Sequence, residues 1–294
     1  MYSHNNQKKI AVINDFTGFG RCSLSVSIPL ISYMGIQCCP LPTSIFSNHT
    51  GFPEFYFDDY TKHMEEYASY WKRLDLRFHG ILTGFLGSSS QIDIVKHFLY
   101  NFKTEETQVI IDPVMGDNGR LYATYTDEMC HKMKELITFA DVLTPNLTEA
   151  CFLTDTPFHS DSWSRKELSE LMEKLVELTF VPEGDGYFRN SHKAGYIVIS
   201  GIPMKKSIGN VIYEKGHELY FYVTRRVGHE RSGTGDVFSS ILAADRVKET
   251  DFRDSVKKAS RFIKECILAS ERLDIPMTDG VCFEEILAKK RRLL

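Results

Sequence analysis

No G-x-x-x-x-G-K-S/T string occurs in the 294 residues, which excludes a P-loop nucleotide-binding protein by pattern. There is no C-x-x-C pair and no Cys/His cluster. The seven cysteines (Cys22, Cys38, Cys39, Cys130, Cys151, Cys266, Cys282) are odd in number and scattered. Neither a disulfide framework nor a zinc site is expected, and a reducing, cytoplasmic setting fits best. No apolar run approaches bilayer-spanning length, and the polar opening Ser3–Lys9 lacks the apolar region of a signal peptide, so no membrane partner is expected. Excess charge is absent too: a formal net charge of −4 provides no electrostatic reason for nucleic acid to bind. The basic run Lys289–Arg292 reads as a solvated helix end. Internal repeats, low-complexity stretches and dividing linkers are also missing.

What is present is ordinary globular material. With 43% hydrophobic and 25% charged residues the chain has enough apolar surface to bury a substantial core. One domain over residues 1–294 is expected. Short apolar runs at Ile10–Ile13, Ile36–Leu41, Gly80–Phe85, Val109–Ile111, Asp141–Leu143 and Tyr196–Ile199 read as strands. A hairpin is expected from Val211–Tyr213 and Leu219–Val223. Helical spacing runs over Ser23–Met34 (with Pro29 bending or restarting it), Tyr60–Leu74, Ile92–Phe102, Thr126–Ile137, a segment opening near Pro145, and Lys166–Leu178. It resumes at Val237–Val247, Phe252–Arg272 and Phe283–Lys290, and Val181–Lys193 reads as a loop. Strands alternating with helices predict an α/β fold with a mostly parallel sheet covered on both faces. In such folds functional groups collect beyond the carboxyl ends of the strands.

Polar residues stand at five of those six ends: Asn14-Asp15, Thr83-Gly84, Asp112, Thr144 with Asn146, and Ser200-Gly201. The most informative segment is Gly233-Thr234-Gly235-Asp236, directly before an apolar helical run. Exposed N–H groups and the positive helix end make such a position an anion site, and glycines allow close approach. Asp236 in the same turn is placed to take a proton from an attacking hydroxyl, or simply to cap the helix. Asp112 and Asp117 in Asp112-Pro113-Val114-Met115-Gly116-Asp117 suit a metal bound against a polyphosphate, or a solvated turn. Asn146 and Glu149, three apart, share a helix face and read equally as ligands or as a capping box. In the polar-aromatic loop Phe46–Phe52, Ser47, His49 and Thr50 can hydrogen-bond a small polar ring. Gly18–Ser23 is one glycine short of G-x-G-x-x-G and has no ribose-binding acid about 20 residues on, so a dinucleotide oxidoreductase is disfavoured.

Taken in order, these segments resemble the ribokinase-like superfamily, and within it the vitamin B6 kinases, from Ile10 to about Phe283. Phe46–Gly51 (F-S-N-H-T-G) is similar to the substrate loop of those kinases. Leu82-Thr83-Gly84-Phe85 is similar to their L-T-G-Y segment, Asp112–Asp117 to D-P-V-x-G-D, and Asp141–Glu149 to the T-P-N-x-x-E region. Gly233–Asp236 is similar to the superfamily's anion-hole motif. The resemblance implies a three-layer α/β/α fold. It also implies ATP-dependent phosphorylation of the 5′-hydroxymethyl group of pyridoxal, pyridoxine or pyridoxamine in pyridoxal 5′-phosphate salvage. Asp236 is then the base, with Gly233, Thr234 and Gly235 around the transferring group. Asp112, Asp117 and Glu149 would serve magnesium, with Tyr122, Thr144, Asn146 and Ser200 near the nucleotide. A monovalent cation and a homodimer are implied in the same way. A non-catalytic protein on the same fold has no chemical need for that residue set.

Two departures stand out. Where pyridoxal kinases carry serine in a Q-S-H-like segment, this chain has Asn14-Asp15, and Asp15-Phe16-Thr17-Gly18 is closer to the D-x-S/T-G opening of hydroxymethylpyrimidine phosphate kinases. Those enzymes place cysteine where Asp236 stands and lack F-S-N-H-T-G. Phe85 replaces the usual tyrosine at the ring-stacking position. A B6 substrate is therefore expected over the pyrimidine of thiamin synthesis, with the Asp15 carboxylate facing the ring nitrogen.

Overall fold

The computed structural model describes residues 6–179 and 194–290; the loop expected over 181–193 lies outside them. The first half runs β1 (Lys9–Phe19), α1 (Leu24–Tyr33), β2 (Gln37–Asn48), β3 (Phe57–Asp59), α2 (Thr61–Arg73), β4 (Gly80–Thr83), α3 (Ser89–Phe102), β5 (Gln108–Ile111), β6 (Gly116–Asp117) and β7 (Arg120–Leu121). It continues with α4 (Asp127–Leu136), β8 (Val142–Leu143), α5 (Leu147–Leu153), α6 (Arg165–Leu178), β9 (Tyr196–Met204), β10 (Ser207–Glu214) and β11 (Tyr220–Arg225). Helices α7 (Thr234–Val247), α8 (Phe252–Arg272) and α9 (Glu284–Lys290) close it.

Among the described residues nine strands form one sheet in the order β11-β10-β9-β8-β5-β4-β1-β2-β3. The inner pairings from β9 to β2 are parallel, and only the edges, β9–β10–β11 and β2–β3, are antiparallel. Side chains that alternate along the inner strands feed two separate cores. Ala11, Ile13, Ile81, Ile111 and Leu143 pack against α2–α6. Ile10, Val12, Leu82, Ile110 and Val142 pack against α1, α7, α8 and α9. The result is the expected three-layer α/β/α arrangement, and the near-continuous apolar strands are what burial on both faces requires.

Helix ends follow local chemistry. Ser88 and Thr126 accept from the N–H three residues on, and Ser164 with Glu167 forms a capping box at α6. Pro29 does not restart α1, which runs through it to Tyr33; burial of Leu24, Val26, Leu30 and Ile31 outweighs the lost hydrogen bond.

Two strands differ from expectation. β1 and β2 overrun their apolar runs and keep pairing, Phe16 with Ile45, Thr17 with Phe46 and Phe19 with Asn48, after an irregularity between Asn14 and Phe16. β3 adds to them antiparallel, Phe46 opposite Phe57. Three of the seven residues of the expected loop at 46–52 are therefore strand, forming a flap at the end of the sheet. The expected plain turn after Asp112 is in fact the β6–β7 hairpin. Asn118 (φ 51°) and Gly119 (φ 76°) supply the two left-handed residues that a two-residue hairpin needs.

Candidate active site

The pleat brings the strand-end polar residues together. On β1 the even positions Ile10 and Val12 face α7, so Asn14 continues that rank. By the same alternation Asp112 follows Ile110, Thr144 follows Val142 and Ser200 follows Val198. These ends belong to strands of one sheet, so polar residues far apart in sequence share a rim facing one helix. A contact bears this out: Asn14 Nδ2 donates to Asp236 Oδ1 of α7 at 3.1 Å, and Asp236 and Ser239 of α7 both act on the Asp112 carboxyl.

Asp236 lies in the first turn of α7, whose start at Gly233 has no side-chain cap. The first-turn amides therefore lack a side-chain acceptor, while Val237 N–H makes the first helical bond, to the Gly233 carbonyl at 2.9 Å. A Cβ on Gly235 would meet nothing within 4 Å, which leaves open space over those amides. Burial raises the Asp236 carboxyl to about 6, helped by the negative charge of Asp15 and opposed by N–H donors from Ser23 and Asn14. A group poised near neutrality is suited to proton transfer. Ser23 reaches it from a turn in which Gly20, Arg21 and Ser23 all have positive φ (106°, 33° and 57°).

The loop before α7 is clamped from behind. Buried Arg231 donates to the carbonyls of Ile275 (2.6 Å) and Pro276 (3.1 Å) and to Glu271 Oε1 (2.9 Å). Thr234 Oγ1 returns to the Arg231 carbonyl at 3.3 Å, and Val281 N–H donates to the Ser232 carbonyl at 3.1 Å. Arg21 joins the same frame through the Asp279 carbonyl (3.0 Å) and Glu284 (2.7 Å). Glu271 is held down to about 2 by Arg231 first and then the His229 N–H. Sequence reasoning missed Arg231, Arg21 and Glu271. Their partners lie 40 or more positions away, and no local spacing signals them.

The flap lies against Phe85. Phe85 sits edge-on to Phe46, with ring centroids 6.1 Å apart. Asp15 is buried, its two oxygens accepting from Thr17 Oγ1 (2.6 Å) and Ser23 Oγ (2.5 Å). Burial raises its carboxyl despite those two hydroxyls, and the His49 ring lies within electrostatic reach. Both nitrogens of His49 have protein partners. Nδ1 accepts from Gly51 N–H at 3.0 Å, so Nε2 carries the proton donated to the Thr278 carbonyl at 2.7 Å. His49 thereby ties the flap to the segment behind the α7 loop. Ser47 Oγ accepts from Tyr56 N–H at 2.8 Å and serves the flap internally, while Thr50 is exposed at its tip.

The acidic residues form the third side. Asn146 and Glu149 make the capping box of α5. Glu149 accepts from Asn146 N–H (2.8 Å) and Met115 N–H (3.2 Å), and Asn146 Nδ2 donates to the Gly116 carbonyl at 2.8 Å. The box thus pins the Asp112–Asp117 segment in place. Burial, and then repulsion from Asp236, raises the Asp112 carboxyl; burial and then Asp112 raise that of Glu149. Asp117 stands on its hairpin, its carboxyl raised by the protein atoms around it and then by Glu230. The Tyr122 phenol is raised by burial and by the charges of Glu149, Asp117, Asp112 and Asp236 together. Thr144 is buried and donates to the Ile111 carbonyl at 3.4 Å. Ser200 N–H bonds the Pro145 carbonyl at 2.9 Å. Among the described residues no three His, Cys, Asp or Glu side chains form a metal cage.

The phosphomethylpyrimidine kinase family profile matches residues 68–280. This chain belongs to that family. A kinase of the phosphomethylpyrimidine kinase family is a phosphotransferase acting on an alcohol, and a carboxylate beside an amide cradle is a geometry compatible with such a reaction. The chain is similar to a candidate phosphomethylpyrimidine kinase from Bacteroides thetaiotaomicron VPI-5482 (35% identity, TM-score 0.88, 98% of this chain and 96% of that one). A second crystal form of that protein, with pyridoxal, matches at 34% identity and TM-score 0.85 over 97% and 96%. A curated pyridoxal kinase from Arabidopsis thaliana is 27% identical over 72% of this chain and 65% of its own length. The pyridoxal kinase of Lactobacillus plantarum has the same fold at TM-score 0.83 and 23% identity, over 97% of each chain.

Proposed function

We propose that this kinase transfers a phosphoryl group from ATP to the 5′-hydroxymethyl group of a B6 vitamer: pyridoxal, pyridoxine or pyridoxamine. The observation that carries the reading is the Asp236 carboxylate, held by Asn14 beside Asp15 and next to the uncapped amides of α7. In the reaction Asp236 accepts the alcohol proton as the alkoxide oxygen bonds to the γ-phosphorus and the bond to ADP breaks. The amides of Gly233–Gly235 face the charge carried by the transferring group. Asp15, Phe85 and the flap residues Ser47, His49 and Thr50 line the alcohol side, His49 by fixing the flap. Pyridoxal in the Bacteroides thetaiotaomicron relative, together with the F-S-N-H-T-G flap, favours a B6 ring over a pyrimidine.

Magnesium suits the acidic side. Asp112 and Glu149 are hard oxygen donors whose crowding a divalent cation would relieve, and magnesium completes its shell from phosphate oxygens and water rather than a protein cage. Asp112 and Asp117 would hold it directly or through water. Glu149, with both oxygens already bonded to N–H groups, adds charge. Tyr122, Thr144, Asn146, Ser200 and Thr234 stand on the nucleotide side of the rim. When bound, the metal would neutralise charge on the phosphates.

A homodimer and a cytoplasmic setting belong to the same reading. Phe16, Phe19, Ile45, Phe55, Tyr56 and Phe57 are exposed on the flap, and such a concentration of exposed apolar side chains supports pairing with a second copy. All seven cysteines are free, as a reducing compartment allows. Strands from both halves of the chain share one sheet, which supports a single kinase domain. The test is ATP consumption measured in parallel with pyridoxal, pyridoxine, pyridoxamine and hydroxymethylpyrimidine. Turnover with a B6 vitamer at least tenfold above the pyrimidine (about 1.4 kcal/mol of discrimination) is expected, and preference for the pyrimidine overturns the reading.

A further inference from the structure

Asn14 is buried at the end of β1, 4% exposed, beside the proposed base. Its orientation is unambiguous. The carboxamide oxygen accepts two backbone N–H groups, from Asp15 at 3.0 Å and from Phe85 at 2.8 Å, so the nitrogen is the atom that faces Asp236 at 3.1 Å. Gly84 leaves room for it: a Cβ at position 84 would fall 2.4 Å from Asn14 Nδ2 and 2.5 Å from its Cγ, with no other group among the three nearest atoms. The side chain therefore connects three things: the base on α7, the Asp15 backbone and the Phe85 backbone on the alcohol side.

We propose that Asn14 is the positioning residue for the base, setting the Asp236 carboxylate against the acceptor alcohol while anchoring the Phe85 wall through the same amide. The titratable groups that act on or feel Asp236 are Asp15 on β1, Cys22 in the turn after it, Asp112 after β5 and Tyr122 after β7. All four are acids, so none of them stabilises a negative charge. Keeping Asp236 ionised and aimed falls to the N–H donors of Ser23, Asp236 itself and Asn14. Of these only Asn14 acts through its side chain, and only it also holds the Phe85 backbone.

Asn14→Asp is nearly isosteric and keeps an oxygen for both N–H groups, but turns the donor into a second acid facing Asp236. Gly84→Ala keeps Asn14 and pushes its amide aside. Both are assayed as full-length, magnesium-saturated enzyme, with kcat followed against pH and melting curves recorded. In each variant the acid limb of kcat is expected to move up by about one pH unit or more, a tenfold loss on that limb. Rate should return at high pH, with KM for ATP unchanged. A limb that stays in place in both variants overturns the inference, whether the rate is uniformly lower or unaltered. The inference rests on Asp236 being the base, so Asp236→Asn is run alongside. If it keeps its turnover, the base assignment falls. If it is inactive while the limbs of the other two stay put, only the role of Asn14 falls.

Discussion

The Arg21 carbonyl oxygen occupies the place where a side chain at position 233 would begin: a Cβ on Gly233 would lie 2.0 Å from it. Gly233 also has φ 80°, a conformation that costs a residue with a side chain about 1–2 kcal/mol before any clash. Gly235, two positions on, has neither constraint. Gly233→Ala should therefore lower the melting temperature and abolish turnover. Gly235→Ala should fold normally and change only kinetics, with a raised KM for ATP. Equal melting temperatures for the two variants would contradict this account of the cradle.

Asp236→Asn keeps the shape of the site and removes its proton acceptor. Turnover should fall by roughly 10²–10⁴, the usual scale for a general base, with ATP binding by calorimetry retained. Because burial raises this carboxyl, its ionisation opposes folding, and the variant should melt higher than the parent. A lower melting temperature would show that the carboxylate stabilises the fold.

Asp112, Glu149 and Asp236 are all raised above the ordinary carboxylate range in the folded protein. The unfolded chain releases those protons at lower pH, so stability should fall as pH rises from about 4 through 8. Glu271 and Glu285 act with the opposite sign. Held down to about 2 by Arg231 and by Arg272, they add stability above the ordinary glutamate value that is lost as pH falls toward 2. Maximum stability without magnesium should therefore lie on the acid side of neutrality. Asp112→Asn should flatten the slope above it by on the order of 1 kcal/mol at pH 8. Denaturant melts at pH 5 and pH 8 test this, and an identical slope in the variant would refute it.

Asp15 accepts from Thr17 and Ser23 on the alcohol side. Asp15→Ser should alter the ranking of pyridoxal, pyridoxine and pyridoxamine by kcat/KM while leaving KM for ATP unchanged. An unaltered ranking would remove Asp15 from substrate discrimination.

Much of the site could be read in advance because its chemistry is local. Gly233–Asp236 announces an anion site by composition, and Asn146 with Glu149 announces a helix start by spacing. That start came out as a complete capping box, with Glu149 bonded through both oxygens to N–H groups. The flap was legible only as a string of residues. Past Asn14 the apolar alternation that marks a strand gives out, and β1 and β2 continue through the hydrogen bonds they give each other and those β3 gives β2.

Apolar periodicity and turn chemistry are carried by neighbours in the chain, so the order of strands and helices, and the motifs riding on them, were available from residue identity alone. Which of those motifs meet depends on strand order and on the alternation of side chains between two cores. Those are properties of pairing and burial between distant segments. Asn14 reaches across 222 positions to Asp236, and Arg231 braces the cradle against residues 271–276. Neither contact has a sequence signature, because each exists only once the sheet has closed against α7 and α8.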